Sequence, residues 1–317
     1  QAIDSHSGDR PFTNPDELEA FVDEVMSDRI ETTTPGATIA IVSGDSPVLT
    51  KGYGAADVNA DDPVQAAETV FRVGSVGKLV TYTAVMQGVE RSVLDLDADV
   101  NTYLDDSTVT VPDTYDDPVT LRHLGTHTAG FESTLDPDII ADPAALNPLE
   151  TVLTEQQRSR IRPPGELIGY SNYGAALAGH VIAETHGMTF EEYVQSEIFD
   201  PLGMTHSTFD QPVPDDQPGN LAAPHVRDSE SFTAADNVYI NMRPAGSLSA
   251  TATDMAAFMS AHLGDGAIRG TRILDSETID TMHSRHHVRH PAVTNWRYGF
   301  HEYGDSDANL IAHSGAT

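Results

Sequence analysis

Three short segments lie far apart in this chain: Ser75-Val76-Gly77-Lys78, Tyr170-Ser171-Asn172 and His313-Ser314-Gly315. They constrain the fold because the groups they carry are useful chemically only where the segments meet. Ser75 is an ordinary alcohol and attacks a carbonyl only with a base beside it. Lys78 follows three residues later, so on a helix starting at Ser75 the two side chains share a face. Burial disfavours an ammonium ion and would prepare the amine to accept a proton. A Ser-x-x-Lys spacing is common by chance, but two features give this one weight. Lysine occurs only at Lys51 and Lys78. Gly77 would sit inside the helix, where glycine costs about 1 kcal/mol relative to alanine, which implies close packing at that point. Tyr170 offers a phenol that, as phenolate, could take the serine proton and later deliver it to a leaving group. Asn172 would hydrogen-bond Lys78 and the substrate's acyl oxygen. Tyr239-Ile240-Asn241 repeats the pattern and is the rival for this role.

The periodicity predicts a helix over 14–30, with Asn14 as cap, Pro15 at the first position and Asp16 and Glu17 at the positive end. Strands are expected at 37–43 and 47–53 with the turn at 44–46, and Phe71-Arg72-Val73-Gly74 leads into a helix over 75–90. Residues 95–170 read as loop-rich, with short helices at 121–127 and 150–160. Further helices are expected at 173–186, 190–199, 253–263 (opened by Thr253 or Asp254) and 275–290. Residues 210–225, with four prolines and two adjacent aspartates, read as an exposed loop. Residues 297–303 and 308–314 read as a final strand pair. At 317 residues the chain suits one large domain or two lobes sharing a core.

The formal net charge of −32 excludes nucleic acid and anionic membranes as partners. No apolar run approaches the roughly 18 residues that span a bilayer. So large and lysine-poor an acidic excess points to a high-salt environment or cytosol, where a Debye length of about 3 Å at molar salt screens self-repulsion. Cys is absent, which removes disulfides, a thiol nucleophile and Cys metal sites. On one helix His283 with His287 and His286 with His290 would have zinc-compatible spacing, but Arg285 and Arg289 lie between them and a solvated face is the reading preferred. No metal and no cofactor is expected.

The segments 71–78, 121–130 (Leu-Arg-His-Leu-Gly-Thr-His-Thr-Ala-Gly), Pro164-Gly165-Glu166 with Tyr170-Ser171-Asn172-Tyr173-Gly174, 191–204 and Pro244-Ala245-Gly246 together resemble the serine β-lactamase and penicillin-binding-protein superfamily, in particular the class C β-lactamase-related esterases and peptidases. The resemblance implies an α+β fold. An antiparallel sheet flanked by helices would carry an inserted helical lobe (about 75–249), with the α/β lobe at about 12–74 and 250–317 and the site between them. It implies an acyl-enzyme on Ser75, with Lys78 and Tyr170 handling protons and Asn172 orienting. His313, Ser314, Gly315 and the Ala316 amide would complete the acyl site. The amides of Ser75 and Ala316 would form the oxyanion hole, and Gly315 would let a substrate backbone approach.

Where the family often has Lys-Thr-Gly this chain has His313, a weaker anchor for a substrate carboxylate at neutral pH. Esterase or D-amino-acid amidase/peptidase is therefore ranked ahead of β-lactamase for a small-molecule or peptide acyl substrate. Glu166 precedes Tyr170 and is given a structural hydrogen bond in its turn. His127 is read as a buried structural residue, and Tyr239 as packing or a cleft wall. The resemblance also implies two further strands and a helix beyond Thr317. From this follow expectations of a fragment with reduced stability, a third motif lacking sheet neighbours on one side, and an N-terminal helix without its packing partner. The start at Gln1 implies an upstream segment, and the resemblance fits an extracellular or cell-surface location. The alternative from another class is a catalytically weak binding or scaffolding module, which need not keep Ser75, Lys78, Tyr170 and Asn172 together.

Overall fold

The computed structural model describes residues 14–60, 62–133, 139–228, 231–288, 295–303 and 310–316. Helix α1 (Pro15–Ser27) begins as its residues dictate: Asn14 Oδ1 accepts from the Asp16 amide at 3.0 Å, and Pro15 sits where no N–H is needed. Its buried stripe, Leu18, Val22 and Met26, packs on Ile30 and on Ala37, Ile39, Ile41, Leu49 and Tyr53 of the antiparallel hairpin β1 (Gly36–Ser43) and β2 (Ser46–Asp57). The hairpin thus covers the buried stripe of this helix, while Phe21 on it is 50% exposed. Lys51 adds ion pairs to Glu19 at 2.6 Å and Asp23 at 2.7 Å.

Strand β3 (Thr69–Arg72) leads through a tight turn at Gly74–Val76 into helix α2 (Gly77–Glu90). From Gly77 through Gly88 every residue of α2 is buried, the signature of a helix surrounded on all sides. Helix α3 (Asn172–His186) is buried from Tyr173 to Ile182 and packs against α2. These two helices form the centre of the main core, where each fully buried Val, Leu or Phe contributes about 1.5–3 kcal/mol. A Cβ at Gly77 would lie 2.9 Å from Leu248 Cβ and 3.3 Å from the Phe209 ring, which accounts for the glycine.

Strand β4 (Ser249–Ala250) pairs with β3 antiparallel, whereas Asn220–Leu221 pairs with β3 in parallel. This small sheet, separate from the antiparallel sheet of β1 and β2, is thus mixed, and the stretch expected as loop supplies one of its strands. The physical reason is that β3 is buried and its second edge must also find hydrogen-bond partners. Helix α4 (Ala252–Leu263) packs on β1 and β2. Its cap is Thr251, whose Oγ1 accepts from the Asp254 amide, rather than Thr253 or Asp254. The helix expected over 190–199 divides into Phe190–Val194 and a wider turn at Gln195–Phe199.

Helix α5 (Ser276–His283) ends well before 290, because the chain turns to pair His287 with Trp296. His283 and His287 are therefore not one turn apart on a helix. His283 Nε2 instead lies 3.2 Å from His262 Nδ1, and the His286 ring lies 5.7 Å from the Tyr298 ring at a 56° tilt. Arg289 and His290 lie outside the described residues. Strands β5 (His301–Tyr303) and β6 (Leu310–Ala312) form the final antiparallel pair.

His262 is fully enclosed, with Nε2 3.1 Å from Thr83 Oγ1, and burial, with His283 beside it, pushes its pKa down to about 3. At pH 7 the ring is neutral folded or unfolded. As pH falls through about 6.5 the unfolded chain binds a proton that the folded chain refuses. Stability should fall by about 1.4 kcal/mol per pH unit from this residue, roughly 2 kcal/mol by pH 5, and level off near the folded pKa. Urea melts between pH 7 and 4 test this: His262→Gln should remove about one proton from the slope, and an unchanged slope would refute it.

Candidate active site

Gly74 adopts φ +56°, a conformation natural to glycine, and turns the chain from β3 so that Ser75 lies at the N-terminal end of α2. The helix dipole there favours negative charge. Lys78, in the first turn, is fully buried. Its Nζ lies 2.9 Å from Ser75 Oγ and 2.8 Å from Asn172 Oδ1, donates to the Ala245 carbonyl, and sits 4.9 Å from the centre of the Tyr170 ring. Asn172 opens α3, capped by Ser171, whose Oγ accepts from the Gly174 amide at 3.0 Å. Packing two buried helices side by side thus brings Ser75, Lys78 and Asn172 together. Burial pushes the Tyr170 pKa up to about 12, against a smaller lowering by the nearby Ser75 hydroxyl, so it is a protonated phenol at neutral pH.

Strand β6 runs into the third segment. A Cβ on Gly315 would lie 2.0 Å from the Val73 carbonyl oxygen and 3.2 Å from the Ser75 amide nitrogen, and one on Gly74 would lie 2.7 Å from the Ala316 amide nitrogen. Gly315 is therefore required by the backbone of the Ser75 turn, where the Val73 carbonyl fills the space a Cβ would take. Its other side borders the cleft. The same contact seats the Ala316 amide beside the Ser75 turn. His313 Nδ1 lies 2.7 Å from the Ser314 carbonyl, which assigns the proton to Nδ1, and burial pushes the ring's pKa down to about 4.

These groups line a cleft of about 720 Å³. Ser75, Tyr170, Asn172, His313, Ser314, Gly315 and Ala316 all border it, with Gly246 and His301, and an apolar wall of Ile139, Ile240, Met242 and Trp296. Sequence reasoning missed that wall, Ala245 and His301. Trp296 had one available signal, as the only tryptophan in the chain. Among the described residues, neither Lys nor Arg lines the cleft. Tyr239 belongs to a neighbouring cavity with Arg72, and Asn241 is buried, accepting from the Asn147 amide. Glu166 is exposed, and its carboxylate has no hydrogen-bond partner among the described residues, so the expected bond in the turn is corrected. His127 is buried, and its Nδ1 accepts from the Ser171 amide.

A family model described as Beta-lactamase matches residues 18–317. Penicillin-binding protein 4 of Amycolatopsis lactamdurans is 28% identical over 91% of this chain and 76% of its own length. Monacolin J acid methylbutanoyltransferase of Aspergillus terreus is 32% identical over 50% of this chain and 44% of its own length. The octameric penicillin-binding protein homologue from Pyrococcus abyssi superposes with a TM-score of 0.71 at 26% identity, covering 92% of this chain and 65% of that one. The chain spans a little under half the length of the first curated relatives it matches. No helix among the described residues is long and apolar enough to cross a membrane.

Proposed function

The chain belongs to the beta-lactamase family, and on that premise we propose that it is a serine hydrolase working through an acyl-enzyme on Ser75. The observation that carries this reading is the setting of Lys78 Nζ. Two of its contacts, Asn172 Oδ1 and the Ala245 carbonyl, are groups that can only accept. A neutral amine gives them its two N–H bonds, which turns its lone pair to the third contact, the Ser75 hydroxyl. Ser75 Oγ then bonds to the substrate carbonyl carbon as its proton passes to Nζ. The carbonyl electrons move to an oxygen facing the Ser75 and Ala316 amides. The bond to the leaving group breaks as that group takes a proton through the Tyr170 hydroxyl, and water repeats the sequence to release the acid.

Substrate class follows from the wall. Ile139, Ile240, Met242 and Trp296 suit an apolar acyl group, and a neutral His313 offers no fixed positive charge for a carboxylate. A neutral ester or amide is therefore favoured over a penicillin or peptide C-terminus. The acyl transfer named for the Aspergillus terreus relative supports acyl-enzyme chemistry on this scaffold.

The test is intact mass after incubation with a fluorophosphonate and, separately, a penicillin, with peptide mapping and a Ser75→Ala control. We expect a phosphonyl adduct on Ser75, none on Ser75→Ala, and little or no penicilloyl adduct. Absence of the phosphonyl adduct on folded protein would sink the hydrolase reading in favour of a binding module. A stable penicilloyl adduct would overturn the substrate class alone.

A further inference from the structure

We propose that His127 is a positioning residue for Tyr170, a neutral imidazole that holds residues 169–171 from behind; this rests on the acyl-enzyme reading above. Three separate contacts converge on that short segment. The His127 carbonyl accepts from the Gly169 amide at 2.7 Å. Its Nδ1 accepts from the Ser171 amide at 3.2 Å. Its ring lies 4.4 Å from the Tyr170 ring at a 35° tilt. Trp296 closes against the imidazole at 4.5 Å and 82°. The backbone on both sides of Tyr170 and the Tyr170 ring itself are thus fastened to one residue.

That residue carries two unfavourable features. His127 has φ +54°, uncommon for a residue other than glycine, although histidine with asparagine and aspartate is enriched there. With Nδ1 accepting, the ring proton sits on Nε2, which is buried and has no hydrogen-bond partner. Local strain and unsatisfied buried groups cluster where geometry serves a site. Tyr170 is the residue that needs such support. It is 37% exposed, and its hydroxyl must stay within reach of Ser75. A misplacement of about 1 Å at such a site can lower the rate about 10²-fold.

Leucine would fill the same space but offer the Ser171 amide no acceptor. A protonated imidazole would lose Nδ1 as acceptor. Burial opposes that protonation first, and any positive charge on Lys78 or His313 would oppose it further. The groups facing the ring are Tyr82, Tyr170, Trp296, Lys78 and His313.

The experiment compares wild type, His127→Leu and His127→Asn on a neutral aryl ester, with melts and fluorophosphonate labelling. Wild-type labelling at Ser75 establishes the parent reading independently. Expected for His127→Leu is a fall in kcat of about 10- to 100-fold with KM within about twofold. A freed, hydrated Tyr170 should also bring the alkaline limb of the rate profile to lower pH. Asparagine tolerates positive φ and restores an acceptor, so His127→Asn should recover part of kcat. Folded variants with wild-type kcat, or losses that track only the folded fraction, overturn the proposal and leave the hydrolase reading intact. The unmodified protein gives a second check. Its imidazole ¹⁵N spectrum at pH 5 should show His127 neutral with the proton on Nε2, and a protonated or Nδ1–H ring overturns the clamp.

Discussion

Lys78→Met is expected to lower kcat on a neutral ester by about 10²- to 10⁴-fold, the range for loss of a positioned proton acceptor. Methionine matches the length of the side chain and suits the buried setting, so the change removes the amine 2.9 Å from Ser75 Oγ while filling the space. It also leaves Asn172 Oδ1 and the Ala245 carbonyl each short of one donor, at about 1–3 kcal/mol apiece. Lys78→Arg separates charge from basicity, because a guanidinium stays protonated at every working pH. If Lys78 acts as base, the arginine variant should be as inactive as the methionine one. Single-turnover acylation followed by quench and intact mass measures this directly. Acylation of folded Lys78→Met within tenfold of wild type would remove Lys78 from the proton path.

Gly315→Ala is the second large effect. The new methyl would be aimed at the Val73 carbonyl oxygen from 2.0 Å, a backbone atom that cannot rotate away. The third segment must therefore shift by more than an ångström relative to the nucleophile turn, carrying the Ala316 amide with it. Loss of one oxyanion donor lowers kcat by about 10²- to 10³-fold, and we expect a fall of that order. Because β6 pairs only with β5 among the described strands, the core beneath it should be little affected. The melting temperature should then drop by a few degrees at most while turnover collapses. Wild-type turnover from Gly315→Ala would show that the amide of Ala316 is not part of the acyl site.

Much of this was legible in the sequence because it is local. The cap at Asn14, the proline after it and the strands β1 and β2 with their turn are dictated by neighbouring residues through dihedral preference and periodicity. The helix starting near Ser75 and the face shared with Lys78 follow from a spacing of three. Errors came where two distant segments compete for one. Continued helical pattern predicted α5 to 290, but pairing with Trp296 drew His287 away. Prolines marked 210–225 as loop, but the unpaired edge of β3 recruited Asn220 and Leu221.

The sequence by itself determined which groups could act as nucleophile, base and orienting amide, since side-chain chemistry and near-neighbour spacing are written in the residues. Only the tertiary structure decided that Ala245 supplies a carbonyl to Lys78, that Trp296 and Met242 wall the cleft, and that His127 braces Tyr170. It also decided what Gly315 is for. A glycine reads the same whether its missing Cβ makes room for a ligand or for a carbonyl more than two hundred residues away, and only the packed chain shows which atom occupies that space.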